Sequence, residues 1–207
     1  VKRVAQSVES WFMQRFDRVS SISSSMLLLA EKKGVREDNI RFFPNWSDTR
    51  SIVPSVDDQL RREWQISNDK IVVLYSGNIG KKQGLEVIIE AARALKAQED
   101  VLFVIVGDGA HRETLEHEAK GLKNIVFKPL QPLEKLNTLL ATADIHLVIQ
   151  KAGAADLVLP SKLTNILAAG GYSIITADKG TALGNLCEQY PGIAARVDAE
   201  NSAQFMA

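Results

Sequence analysis

Three stretches of this sequence gather residue types that can hold a phosphate. The first reads Ser76-Gly77-Asn78-Ile79-Gly80-Lys81-Lys82-Gln83-Gly84. Glycines permit tight turns and close backbone approach, while ammonium groups and the free N–H groups of a following helix supply positive charge. It is not the triphosphate P-loop, because Gly84 is followed by Leu85 where that motif needs Lys and then Ser or Thr, and Gly-x-Gly-x-x-Gly spacing is absent. Two readings stay open: a phosphate or diphosphate cradle, or a surface turn with solvated lysines. The second stretch, Gly107-Asp108-Gly109, is an ordinary turn former that can also approach a nucleotide through its backbone. Asp108 reads as a cap and turn residue before it reads as a catalytic acid.

The third stretch is the densest, with Gln150-Lys151-Ala152-Gly153-Ala154-Ala155 followed by Leu159-Pro160-Ser161-Lys162-Leu163-Thr164-Asn165. Ser161 is a good helix cap. Lys162, in the first turn, opposes the helix dipole at a cost of ~0.3 to 1 kcal/mol when exposed. A bound phosphate removes that objection; otherwise the side chain simply extends into water. Asn165 lies on roughly the same side of the helix start, where its amide can bond ribose or base edges or satisfy neighbouring backbone. Thr181, beyond a later strand, suits a helix cap or a donor contact.

The elements that must place these loops follow from periodicity. Short apolar runs at 71–75, 101–106, 125–127, 145–149, 173–176 and 193–197 have the length of buried strands, and helical patterns at 84–97, 111–119, 133–143, 161–169 and 183–189 alternate with them. Near-continuous apolar strands imply helices on both sheet faces, hence an α/β fold with a doubly wound, Rossmann-like parallel sheet. Ligands in such sheets bind beyond the carboxyl ends of the strands, where all the loops above fall. Before this repeat, residues 1–16 read as a helix, 19–23 and 40–43 as short strands, and the segment from about residue 24 to Gly34 as a helix. Polarity and punctuation rise together from Asn45 to Asp58, which reads as a linker. Residues 1–45, 46–68 and 69–207 are thus expected to be, in turn, the last elements of another domain, a linker with a short helix, and a nucleotide-binding domain.

Composition narrows the chemistry. Lys plus Arg and Asp plus Glu are each 25, so no global charge draws the chain to nucleic acid or an anionic membrane. Cys187 stands alone, which rules out an intrachain disulfide and a thiolate metal cage, and no metal is expected. No apolar run approaches the ~20 residues of a membrane span. The start at Val1, without Met, and the helix-like opening at 201–207 read as the cut ends of a piece of a longer chain.

Together Tyr75 to Gly84, Val106 to Arg112, Ala143-Asp144-Ile145-His146-Leu147-Val148, Leu159-Pro160-Ser161-Lys162, Ala168-Ala169-Gly170 and Gly180 to Gly184 resemble the carboxyl-terminal half of family 4 retaining glycosyltransferases, which pair two facing Rossmann-like domains in the GT-B architecture. Ser-Gly-Asn-Ile-Gly-Lys-Lys-Gln-Gly-Leu-Glu and Leu-Pro-Ser-Lys-Leu look like bacterial colanic-acid and exopolysaccharide enzymes. The resemblance implies a GDP- or UDP-sugar donor as substrate, no cofactor, and transfer of its sugar with retention to a hydroxyl of a lipid-linked or saccharide acceptor held by the amino-terminal domain. Lys82 and Lys162 would stabilise the leaving diphosphate. Gly77, Asn78, Gly80, Gly107, Gly109, Gly153, Ser161, Asn165 and Thr181 would surround the donor.

The pattern departs from the family in places. Asn78 and Gln83 stand where many relatives carry Arg and Lys, and Leu157 and Asn165 stand at the family's two Glu positions. Ala182 likewise lacks a carboxylate that relatives often carry. The resemblance further implies a cytoplasmic protein, peripheral at the inner face of the membrane in full length, with this fragment inactive alone. Two alternatives stand beside it: a nonenzymatic nucleotide-sugar sensor, favoured by the missing carboxylates, and a nucleotide-sugar epimerase, which needs acids and histidines converging at the sugar.

Overall fold

In the computed structural model, which describes residues 2–152 and 160–206, the long apolar runs form one six-stranded parallel sheet. Its strands are β3 (Ile71–Ser76), β4 (Val101–Val106), β5 (Ile125–Lys128), β6 (Ile145–Val148), β7 (Ser173–Thr176) and β8 (Ala194–Val197), in the spatial order β5-β4-β3-β6-β7-β8. The chain therefore builds outward from β3 in one direction and from β6 in the other. β3 and β6 are neighbours, with Val73 opposite Ile145 and Leu74 opposite His146. Between them lies the switch point of the sheet, where departing connections leave a crevice.

Alternation along each strand sends side chains to the two faces of the sheet, where they join three clusters. Val73, Tyr75, Phe103, Ile105, Leu147 and Ile149 pack with Leu85, Ile88 and Ala92 around α4 (Glu86–Ala94) and with Leu115 of α5 (Arg112–Glu118). Val72, Leu74, Val104 and Val106 face the other way, onto Leu60 of α3 (Gln59–Glu63) and Leu139 of α6 (Leu136–Ala141). Beside them Val148 and Ile175 meet Leu163 and Ile166 of α7 (Ser161–Ala168) and Leu183 of α8 (Ala182–Gln189). Burial on both faces is why these strands read as continuous apolar runs. A last helix, α9 (Ser202–Met206), returns Phe205 to the first core.

The first residues form α1 (Lys2–Met13), β1 (Val19–Ser21), α2 (Ser24–Lys32) and β2 (Ile40–Phe42), with β1 and β2 paired parallel in a sheet of their own. From Ser47 onward the connecting segment is fastened along the larger sheet. Ile52 is buried in the core of α7, the Val53 N–H donates to Asn137 Oδ1 at 3.0 Å, and Thr138 donates to Asp57 at 2.7 Å.

Two polar side chains are fixed at the central strands β3 and β6. Arg61, its side chain 11% exposed, donates to the carbonyls of Thr142 and Lys70 and pairs with Asp144 at 2.6 Å, while Asp144 also accepts from the Val72 N–H. Arg61→Ala removes the donor to two carbonyls and the ion pair to Asp144, which keeps the Val72 N–H, and is expected to cost about 2 kcal/mol. A lower urea midpoint with an unchanged slope checks it. His146, 2% exposed under α7, donates to the Leu140 carbonyl, and desolvation pushes its pKa down to about 4. The unfolded chain takes up a proton near pH 6.5 that the folded ring refuses, so stability should fall as pH drops from about 6.5 to about 4, by on the order of 2 to 3 kcal/mol. Urea unfolding across that window should show a shallower slope for His146→Leu.

Candidate functional site

At the switch point a cleft of ≈ 520 Å³ opens between the loop after β3 and the start of α7, lined by Gly77, Asn78, Lys82 and Gln83 on one side and by Gln150, Ser161 and Lys162 on the other. Tyr75 forms part of its wall. The β3 side owes its shape to an unusual closeness of two loops. Past the strand ends the ladder continues, with Gly77 N–H donating to the Val106 carbonyl at 2.9 Å, Ile79 N–H to Asp108 at 2.8 Å and His111 N–H to Ile79 at 3.1 Å. A Cβ on Gly107 would lie 1.9 Å from the Gly77 carbonyl oxygen, and one on Gly109 2.3 Å from that of Ile79. With φ of +152° at both, only glycine fits without strain. Arg112 closes the same corner by donating to the carbonyls of Gly107 and Lys128.

The β6 side is set by Thr176, whose hydroxyl accepts from the Gln150 N–H at 2.7 Å and donates to the Gln150 carbonyl at 2.9 Å. Pro160 then occupies the cap position of α7, with no side-chain acceptor for the first N–H groups. Ser161 is therefore not the cap expected from sequence. It is the first helical residue, because proline pre-sets an extended residue at the boundary and leaves Ser161 to open the turn. The Leu163 N–H donates to the Pro160 carbonyl at 3.0 Å, and those of Ser161 and Lys162 have no side-chain cap beside the cleft.

Lys162 is the centre of the electrostatics. Its Nζ lies 4.1 Å from the centre of the Tyr75 ring and would be 3.2 Å from a Cβ on Gly77. Desolvation pushes its pKa down to about 8. Among the described residues no carboxylate lies within ion-pairing distance of it. Lys82 is exposed on the opposite wall. Lys151 instead lays its stem against Gly84 and reaches toward Glu86 in a neighbouring groove.

Residues 56–203 match the family of glycosyl transferases group 1. The chain belongs to this family. Over its full length it is 48% identical to a putative colanic acid biosynthesis glycosyl transferase, WcaI, of Escherichia coli (strain K12), and it spans 52% of that protein. Over 90% of its length it is 28% identical to a probable glycosyltransferase, WbjE, of Pseudomonas aeruginosa, spanning 47% of it. The chain thus covers about half the length of these curated relatives. Among solved structures, Anabaena Alr3699/HepE in complex with UDP superposes with a TM-score of 0.82 and the same protein with UDP-glucose with 0.79, both at 16% identity, over all of this chain and 57% of that one. The fold is therefore that of the carboxyl-terminal half of a GT-B glycosyl transferase.

Of the donor-site residues expected in this group 1 glycosyl transferase, the cleft gathers Gly77, Asn78, Lys82, Ser161 and Lys162. Among the described residues it does not include Gly80, Gly107, Gly109, Asn165 or Thr181. Gly107 and Gly109 serve the packing of one loop on the other, and Gly80 sits where a Cβ would meet Gln83 Oε1 at 2.8 Å. Thr181 caps α8, accepting from Gly184 N–H at 3.0 Å and donating to the Asp178 carbonyl at 2.7 Å. Asn165 accepts from the Ser47 hydroxyl at 2.8 Å. Gly153 and Leu157 lie outside the described residues. Tyr75 is the wall residue that sequence reasoning missed, since an aromatic closing an apolar strand looks like core. Its one signal is its place directly before the glycine loop. None of the three histidines lines the cleft: His111 bonds Glu86, His117 is exposed on α5, and His146 is buried behind the sheet. No helix among the described residues is long and apolar enough to cross a membrane.

Gly107→Ala should force the two loops apart, lowering stability by about 3 kcal/mol, whereas Gly180→Ala, with nothing within 4 Å of its Cβ, should cost only about 1 to 2. Thermal unfolding of the pair checks this; equal losses would mean that the loop contact is not the constraint.

Proposed function

We propose that this chain is the donor-binding half of a retaining glycosyltransferase that moves a sugar from a nucleotide diphosphate to a hydroxyl acceptor in the building of an extracellular or surface polysaccharide. The observation that carries this reading is the uncompensated Lys162 ammonium facing the Gly77 backbone across the switch-point cleft. A diphosphate between them meets the ammonium, the first N–H groups of α7 and Lys82 from the opposite wall. As the glycosidic bond to the diphosphate breaks, negative charge grows on the leaving oxygen, and fixed cationic and dipolar groups are most useful there. Retention follows if that same oxygen accepts the acceptor's proton on the face it has left.

The donor is a UDP- or GDP-sugar. UDP is favoured by the complexes of Alr3699/HepE with UDP and UDP-glucose, and the polysaccharide role by the likeness to the colanic acid enzyme of Escherichia coli. Asn165 offers a neutral amide where carboxylates are usual, so contact with the sugar or ribose at that position is by amide hydrogen bonds rather than by charge. Residues 1–45 are the last elements of an amino-terminal acceptor domain. The exposed Trp11, Phe12, Phe42 and Phe43 support this, being apolar surface suited to a domain that covers it. The acceptor is lipid-linked or a saccharide, and the enzyme works in the cytoplasm at the inner face of the membrane.

Lys82→Ala and Lys162→Ala are each expected to weaken UDP or GDP binding by the full-length protein about tenfold, the loss of one charge-assisted contact. Calorimetric titration with both nucleotides, followed by donor turnover, checks it. Unchanged affinity in both variants sinks the assignment.

A further inference from the structure

Lys162 is an unusual cation for a protein surface cleft. Lys33 and Lys135 pair with Glu9 and Glu63. Lys162 has instead the face of Tyr75, which is 1% exposed and fixed at its far end by its hydroxyl, donating at 2.8 Å to the Asn78 carbonyl. Burial pushes the phenol up to about 12, so it stays a donor throughout the neutral range. The other charged groups near the amine are Lys82 on the opposite wall and, beyond Lys151, Glu86 in the next groove; Gln150, Ser161 and Asn78 are uncharged.

An aromatic face and a carboxylate hold an ammonium in different ways. A carboxylate neutralises the charge and takes up N–H donors, so an incoming anion must displace it. A ring attracts the cation through its quadrupole and leaves the charge and the donors free. We propose that Tyr75 is a positioning residue for donor binding: its ring holds the Lys162 ammonium beside Gly77 as an unneutralised cation, so that the diphosphate is its first counter-ion. The proposal rests on the reading of the cleft as a diphosphate site. The same side chain shapes the facing loop through Asn78, so one residue sets both walls. Desolvation lowers the amine's pKa to about 8, and the ring face opposes that by favouring the ammonium. The arriving anion raises it again, and above pH 8 binding takes up a proton.

Two measurements on the full-length protein test this, one without nucleotide. With lysines carrying a carbon-13 label, the Lys162 ε signal, assigned by its loss in Lys162→Ala, is expected to be shifted upfield by the ring and to titrate near pH 8, and Tyr75→Leu should abolish the ring shift. Titration calorimetry with UDP and GDP from pH 6.5 to 9.5 should show affinity falling as pH rises through about 8, by up to tenfold per unit. Tyr75→Leu should lose about tenfold in affinity at pH 7, and Tyr75→Phe, which keeps the ring, should recover most of it. An unshifted Lys162 signal, or Tyr75→Leu with wild-type affinity and pH profile, overturns the proposal. Should Tyr75→Leu fail to fold, the wild-type ring shift and Tyr75→Phe decide it. If the wild type binds neither nucleotide while the ring shift is present, the diphosphate reading fails and with it the role in donor binding, though the contact itself stands.

Discussion

The Gly77 carbonyl occupies the place where any side chain on Gly107 would be. That closeness lets hydrogen bonding run beyond the ends of β3 and β4, through Ile79 and His111 to the start of α5. A loop that would otherwise be free in solvent is thereby fixed by backbone contacts on one side and by the Tyr75 hydroxyl on the other. Asn78 and Lys82 reach the cleft because the chain between the strand and α4 has no other course open to it. Gly107 and Gly109 act on the cleft at one remove, by shaping its wall.

Electrostatics adds a second constraint. The chain carries no net charge, yet its positive groups are unevenly satisfied. Arg112 pairs with Glu116, Arg196 with Asp198 and Arg61 with Asp144. In the cleft, by contrast, Lys162 and the uncapped start of α7 lie together, although a cation in the first turn of a helix opposes its dipole. Three unfavourable features coincide: loss of water around the ammonium, opposition to the dipole, and a cap without an acceptor. An anion relieves all three at once, and a diphosphate has both the charge and the oxygens to do so.

How far this could be read from sequence depends on the range of the interaction. The strands and helices of the large sheet were legible because burial on both faces leaves an unbroken apolar run, and the oddity of Lys162 was legible because the dipole argument is local. The partner of Lys162 was not. Tyr75 precedes it by most of the domain, and nothing in Val72-Val73-Leu74-Tyr75 distinguishes a core tyrosine from a platform. Asn165 and Ser47, 118 residues apart, are a pairing of the same kind. Gly107 and Gly109 were recognised as sites of close approach, but sequence cannot say whether backbone or ligand does the approaching. Ser161 was misread as a cap because its type fits one, while the proline before it fixes where the turn begins.

Desolvation also lowers the pKa of two bases in this fold, with different consequences. His146 lies beneath α7, close against the Gly171 turn where a Cβ would come within 2.7 Å of its ring, and there is no room for a counter-ion. Its neutral form is the one that packs, so burial simply keeps it neutral above about pH 4. Lys162 stands at the other end of that helix, and its charged form is the one that the proposed role in the cleft uses. Burial there disfavours the ammonium, and the Tyr75 ring beneath it favours it. The two groups therefore act at different ends of the pH range: stability falls as pH drops from about 6.5 toward about 4, while the Lys162 charge is lost as pH rises through about 8. The acid end is a property of packing around His146. The alkaline end is set by the charge across the cleft, and a bound anion extends it upward.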